Sequence, residues 1–153
     1  MTPAVYALAE QHPNWAKEIR HWHDSWLDFV PSDIPQSVRL LRQLRSKGVP
    51  VFALSNFGIG TFEIALKAYP FLAEFDQSFI SGHLKCIKPA PEIYQHLEQG
   101  SGVAPAQLLF ADDRPENIDA AAARGWQTHL FTTPEGWAAR LVAAGLLTPE
   151  EAA

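Results

Sequence analysis

The chain has 153 residues, 47% hydrophobic and 19% charged, which fits a single domain with a buried core and excludes a disordered chain. Twelve Lys and Arg against seventeen Asp and Glu give a net charge of −5, and with no basic cluster along the chain a nucleic-acid partner is not expected. Cys86 is the single cysteine, which excludes an internal disulfide framework, and no apolar run approaches the roughly 18 residues that span a bilayer. The expected setting is therefore cytoplasmic, with no membrane partner.

Over the first 33 residues, Trp15, Ile19, Trp22, Trp26 and Phe29 recur at helical spacing. This predicts one helix whose broad aromatic face packs against the rest of the protein, with a ligand-facing role as the alternative. His21, His23 and Asp24 share that helix, but residues two apart diverge on a helix, so a shared metal ion is not expected. From Pro35 the pattern changes to short alternating elements. PQSVRLLRQLRSKG predicts a helix stopped at Gly48, and VPVFALSN is a near-continuous apolar run of the kind a strand covered on both faces shows. GIGTFEIALKAY reads as a helix, DQSFISG as a second strand, and PAPEIYQHLEQG as a helix opened by proline and closed by Gly100. QLLFADD is a third strand, RPENIDAAAARG a helix, QTHLFTT a fourth strand and PEGWAARLVAAG a last helix. Strands separated by helices imply an α/β fold, a parallel sheet between two helical layers.

Ligands of open parallel sheets bind beyond the carboxyl ends of the strands. Three such ends carry chemistry. The first strand ends in Ser55 and Asn56 beside GIG, whose glycines allow backbone N–H groups to approach an anion. After the second strand, Lys88 precedes Pro89, which disfavours helix there and holds the lysine extended on a loop. The third strand ends in Asp112 and Asp113. Two adjacent carboxylates repel, and a hard cation such as Mg²⁺, held by one or two carboxylates, waters and a substrate phosphate, would offset that charge. Taken alone, the acids fit equally well with Asp113 capping the helix near Pro115 while Asp112 faces solvent. Ser55 and Lys88 at neighbouring strand ends favour metal and phosphate. Other signals fail: GIGTFE lacks the third glycine of a dinucleotide loop, no Lys-Ser or Lys-Thr phosphate loop occurs, and Cys86 lacks a partner base.

ALSN at residues 53–56, SGHLKCIKPAPEIY at 81–94 and FADDRPENIDAA at 110–121 resemble, in order and spacing, the second, third and fourth motifs of the haloacid dehalogenase superfamily. The resemblance implies a three-layer Rossmann-like core over residues 34–153, preceded over 1–33 by part of a small helical cap. It implies that Ser55 and Lys88 are catalytic, with Asn56 beside them at the phosphate. Asp113 would be the principal Mg²⁺ ligand, with Asp112 and Asn117 completing or supporting its shell. The DDRPEN form is similar to the phosphatase branch rather than the true dehalogenases. The expected substrate is a small phosphorylated metabolite, hydrolysed through an aspartyl-phosphate.

The family's first motif, Asp, any residue, Asp after an apolar strand, has no counterpart here: no two aspartates in the chain stand two residues apart. The nucleophile is thus unassigned, and the first central strand is missing from the expected sheet, which leaves two open strand edges. Three accounts follow. The chain is truncated at its N-terminus, or it is a catalytically inactive binding or interaction protein with the same fold, or a partner, such as a strand-complementing chain, supplies what is missing. Open edges also make a homodimer an expectation.

Overall fold

The computed structural model describes residues 4–30 and 32–153. The aromatic N-terminal segment is not one helix. Helix α1, Ala4–Gln11, and α2, Ala16–Asp24, pack together across a 3₁₀ turn at Pro13–Trp15, and a second such turn covers Trp26–Phe29. Pro13 has no N–H to continue α1 and disfavours helix at His12, which separates α1 from α2, and the predicted run from Trp15 to Phe29 itself divides at Ser25, where α2 ends. Nor is the aromatic stripe uniformly packed, as expected from its spacing: Trp15, Trp22 and Phe29 are 65%, 56% and 62% exposed. Trp26 turns inward instead, its ring centroid 5.2 Å from that of Phe57.

Helix α3, Pro35–Ser46, buries Val38, Leu40, Leu41 and Leu44 and leads into strand β1, Phe52–Ser55. Helix α4, Ile59–Ala68, strand β2, Gln77–Ile80, the short helix α5, Ser81–Leu84, and helix α6, Pro91–Ser101, follow. Strand β3, Leu109–Asp112, helix α7, Pro115–Ala123, strand β4, Gln127–Leu130, and helices α8, Pro134–Ala143, and α9, Pro149–Ala152, complete the chain.

All strand pairing is parallel, as the alternation of strands and helices predicts. Phe52 to Ser55 lie opposite Gln77 to Ile80, and Leu109 to Asp112 lie opposite Gln127 to Leu130. These are two separate two-stranded sheets, with no ladder between β1 and β3. Helix packing joins them into one layer. On one face Leu54 and Phe79 from the first pair share a core with Leu108 and Phe110 from the second, closed by Ile93, Tyr94 and Leu97 of α6. On the other face Leu40 and Leu44 of α3 meet Ala138 and Leu141 of α8, with Val51 and Leu109 against them. Neighbouring residues around β1 and β3 thus feed opposite cores, which is why these two strands read as near-continuous apolar runs. On the first of these faces α6 is tied to the end of α7: Arg124 donates to Glu98 through two nitrogens at 2.8 and 2.6 Å, and Trp126 Nε1 donates to the same carboxylate at 2.8 Å.

One glycine differs from its expected role. Helix α6 does not stop at Gly100 but continues to Ser101 and is ended by Gly102 at φ +68°. Gly100 is needed for close approach: a Cβ there would lie 2.7 Å from the Phe79 ring. Gly100→Ala gains about 1 kcal/mol of helix propensity, against typically 1–3 kcal/mol for overpacking a filled site. Urea unfolding should show a net loss of about 1 kcal/mol, reduced when Phe79→Leu makes room in the same chain.

Candidate active site

The carboxyl ends of β1 and β3 meet at one lysine. Lys88, on the loop between α5 and α6, donates from Nζ to the Leu54 carbonyl at 2.8 Å and to Asp112 Oδ2 at 2.6 Å. Its ammonium also lies 5.5 Å from the Phe110 ring centroid. The Lys88 and Asp112 side chains are only 10% and 6% exposed, so the pair is held largely away from water. An ammonium has three donors, and two are spent here, which leaves one for a ligand.

The loop that carries Lys88 is clipped to the end of β1. Asn56 Nδ2 donates to the Lys88 carbonyl at 2.9 Å, and the Lys88 N–H donates to Asn56 Oδ1 at 2.7 Å. Both ends of the Asn56 amide therefore position the lysine backbone. Ser55, one residue before, is partly exposed at the strand end. Two residues that the sequence reading did not single out shape the same corner. Ser81 Oγ accepts from the Phe57 N–H at 2.8 Å, and a Cβ on Gly82 would come within 2.8 Å of Phe57 O and Ile59 N. The small pair Ser-Gly directly after a strand was the available signal.

Asp112 is the structural centre of the third strand end. Its Oδ1 accepts from the Arg114 N–H and from Asn117 Nδ2, each at 2.9 Å. Burial opposes ionisation of Asp112, yet the hydrogen bonds from Lys88, Asn117 and the Arg114 backbone outweigh it, so its carboxyl stays below its ordinary value. Beneath it, Tyr94 donates to the Asn117 carbonyl at 3.0 Å; burial first, then the charge of Asp112, pushes its phenol up to about 12. The capping alternative is reversed by this geometry. Asp112 is the buried acid that bonds the first turn, Asp113 is the exposed one, and Arg114 occupies the cap position of α7 without a side-chain bond.

Among the described residues no three His, Cys, Asp or Glu side chains group as a metal site. The oxygen donors nonetheless fit a hard cation that takes few protein ligands. Asp112 Oδ2 has one bond and a free lone pair, and Asp113 is exposed beside it in sequence. Asn117, 3% exposed, spends its Nδ2 on Asp112 and so holds that carboxylate. The remaining polar candidates lie in other contexts. His21 Nδ1 pairs with Ser25 Oγ at 3.0 Å, His23 Nδ1 with Asp24 at 3.3 Å, and burial pushes the Cys86 thiol up, away from thiolate.

Removing one partner of a buried pair strands the other charge, at roughly 3–5 kcal/mol. Asp112→Ala should therefore cost about that much at pH 7 in urea unfolding. The folded-state carboxyl titrates below its unfolded value, so its contribution is complete above roughly pH 4. It is lost as pH falls through the depressed value, so the gap between wild type and Asp112→Ala should narrow as the pH is taken down below the ordinary carboxylate range. An unchanged gap there would assign the loss to packing rather than charge.

The protein-family model described as "Hydrolase: haloacid dehalogenase-like hydrolase" matches residues 27–125. The chain is 33% identical over 86 residues to the sesquiterpene phosphatase astK of Aspergillus oryzae, covering 56% of this chain and 44% of the relative. It is 30% identical to a D-ribitol-5-phosphate phosphatase of Bacteroides thetaiotaomicron over 68% of this chain and 53% of the relative. Against an (S)-2-haloacid dehalogenase of Burkholderia cepacia the identity is 31%, over 63% of this chain and 42% of the relative. The chain thus spans about half the length, or less, of these curated relatives. Among solved structures, a HAD family enzyme of Bacteroides thetaiotaomicron, an aspartate-to-alanine variant in complex with magnesium and inorganic phosphate, superimposes with a TM-score of 0.59 and 26% identity, over 65% of this chain and 53% of that one. With a family match over more than half its length, and a fold shared with a HAD family enzyme, the chain belongs to the haloacid dehalogenase-like hydrolase family.

Proposed function

We propose that this chain carries the phosphate- and metal-binding half of a Mg²⁺-dependent phosphomonoesterase that acts in the cytoplasm on a small phosphorylated metabolite. The observation that carries the reading is the convergence of Lys88, Asp112 and the Ser55 strand end at one rim. Relatives that bear the name phosphatase, and a neighbour holding magnesium and inorganic phosphate, support it.

In this reading the Ser55 hydroxyl donates to one phosphoryl oxygen. The third Nζ proton of Lys88 points its positive charge at another, held there by the Asn56 clip on its backbone. Asp113 and Asp112 would hold Mg²⁺, while Asn117 and the Arg114 N–H keep Asp112 oriented and ionised. When bound, Mg²⁺ would neutralise charge on the transferred phosphoryl group. The sequence has no Asp-x-Asp pair, so this reading assigns the attacking carboxylate to no residue of the chain. A second reading, a non-catalytic phosphate- or partner-binding protein, is favoured by that absence and by the neutralisation of Lys88 by Asp112 at 2.6 Å.

Calorimetry with inorganic phosphate and Mg²⁺, alongside turnover of p-nitrophenyl phosphate, tests the reading. Phosphate should bind only with Mg²⁺ present, and Asp113→Ala should weaken it at least tenfold. Turnover that Asp113→Ala abolishes would place complete catalysis in this chain, and binding without turnover would locate the nucleophile elsewhere. Absence of Mg²⁺-dependent phosphate binding overturns the reading.

A further inference from the structure

The exposed apolar surface of this protein is unevenly spread. Among the described residues, the large apolar side chains left exposed avoid the helices α3, α6, α7, α8 and α9 altogether. They lie on the N-terminal segment, at Ile34 just after it, and at the carboxyl end of the strands. Three belong to that end, Ile59, Ile87 and Leu130, and each stands beside a different polar group of the site. Single exposed aliphatics are ordinary, whereas a set gathered around convergent polar groups has the composition of a ligand pocket.

The backbone ties each of the three to its polar neighbour. Ile59 opens α4, four residues after Ser55, at the corner that Ser81 and Gly82 hold: Gly82 N–H donates to the Phe57 carbonyl at 3.0 Å, and a Cβ on Gly82 would lie 3.0 Å from Ile59 Cγ1. Ile87 directly precedes Lys88, whose backbone the Asn56 amide clips through both its ends. Leu130 ends β4 opposite Asp112, and the next residue, Phe131, donates its N–H to the Asp112 carbonyl at 2.9 Å. The β1 end, the lysine loop and the paired ends of β3 and β4 thus each bring one aliphatic side chain together with one polar group. Arg114, on the third of these ends, is already engaged by Glu116.

We propose that the site takes a phosphate monoester whose organic part is a hydrocarbon chain, and that Ile59, Ile87 and Leu130 receive that chain while Ser55 and Lys88 hold the phosphoryl group. The inference rests on the phosphate-site reading above and names its substrate class. A sugar or polyol ester needs hydrogen-bond partners along its length to offset the water it loses. A hydrocarbon chain gains by leaving water alone, and an aliphatic collar is what it needs. The groove between α1 and α2, lined by Leu8, Trp15 and Trp22 among others, is apolar as well, but no lysine or arginine lines it to hold a phosphate.

Calorimetry of the full 153-residue chain with Mg²⁺ and, in turn, methyl phosphate, hexyl phosphate and glycerol phosphate tests this. Hexyl phosphate should bind at least tenfold tighter than methyl phosphate, and glycerol phosphate no tighter than methyl phosphate. The preference for hexyl over methyl phosphate should fall at least fivefold when Ile87→Ser and Leu130→Ser are combined. If methyl and hexyl phosphate bind alike, or glycerol phosphate binds as tightly as hexyl phosphate, the inference is overturned while the phosphate-site reading stands. If none of the three binds in a Mg²⁺-dependent way, that reading falls and this inference with it. A preference for hexyl phosphate that persists without Mg²⁺, or that the double variant leaves intact, also overturns it, because the chain is then held elsewhere, as in the groove between α1 and α2.

Discussion

The ion pair between Lys88 and Asp112 is the contact on which the arrangement of this protein turns. It joins a loop after β2 to the end of β3, and through the Leu54 carbonyl it reaches β1 as well. Between β1 and β3 no ladder exists, so this lysine supplies a direct polar link between the half-sheets at the end where ligands bind. A buried pair of this kind is weak ground for stability in itself, because desolvation offsets much of its attraction. Its consequence is geometric: once one partner is buried, the other must be kept, and both strand ends are held to one point.

The surrounding residues divide between holding that pair and leaving something free. Asn56 fixes the lysine backbone, Asn117 and the Arg114 N–H fix the aspartate, and Tyr94 fixes Asn117. What they leave unspent is one ammonium proton, one carboxylate lone pair, the Ser55 strand end and exposed Asp113. Those are the groups a phosphate and a hard cation need. The same division explains why a lysine is tolerated here: its burial is offset by Asp112 and the Leu54 carbonyl before any ligand arrives.

The split sheet imposes the second constraint. Open strand edges usually invite pairing, and proteins blunt them with charge, proline or cover. Here α3 and α8 cover one face and α6 the other, with the Glu98, Arg124 and Trp126 cluster tying α6 to the start of β4, while the facing edges of β1 and β3 line a cavity of about 500 Å³. Helix packing thus does the work that a central ladder does in a continuous sheet. The two faces carry separate cores, and each core spans both half-sheets.

Much of this was legible in the chain. Apolar runs marked β1 and β3, because a strand fed by cores on both faces cannot alternate, whereas β2 and β4, half polar in sequence, were marked by the helical patterns on either side of them. Motif spacing placed Ser55, Lys88, Asp112 and Asp113 at strand ends for the same reason: a strand terminus is a local property. What the tertiary structure alone decided is what depends on residues far apart in the chain. Asp112 rather than Asp113 is buried because Lys88, 24 residues earlier, reaches it; Asn56 clamps a loop 32 residues away; Gly100 is required by the Phe79 ring and not by a turn. The aromatic stripe shows the limit most plainly. Its helical spacing says that Trp15, Trp22 and Phe29 share a pattern, but whether such a pattern is covered depends on the surface opposite it, and spacing within one segment carries no record of that surface.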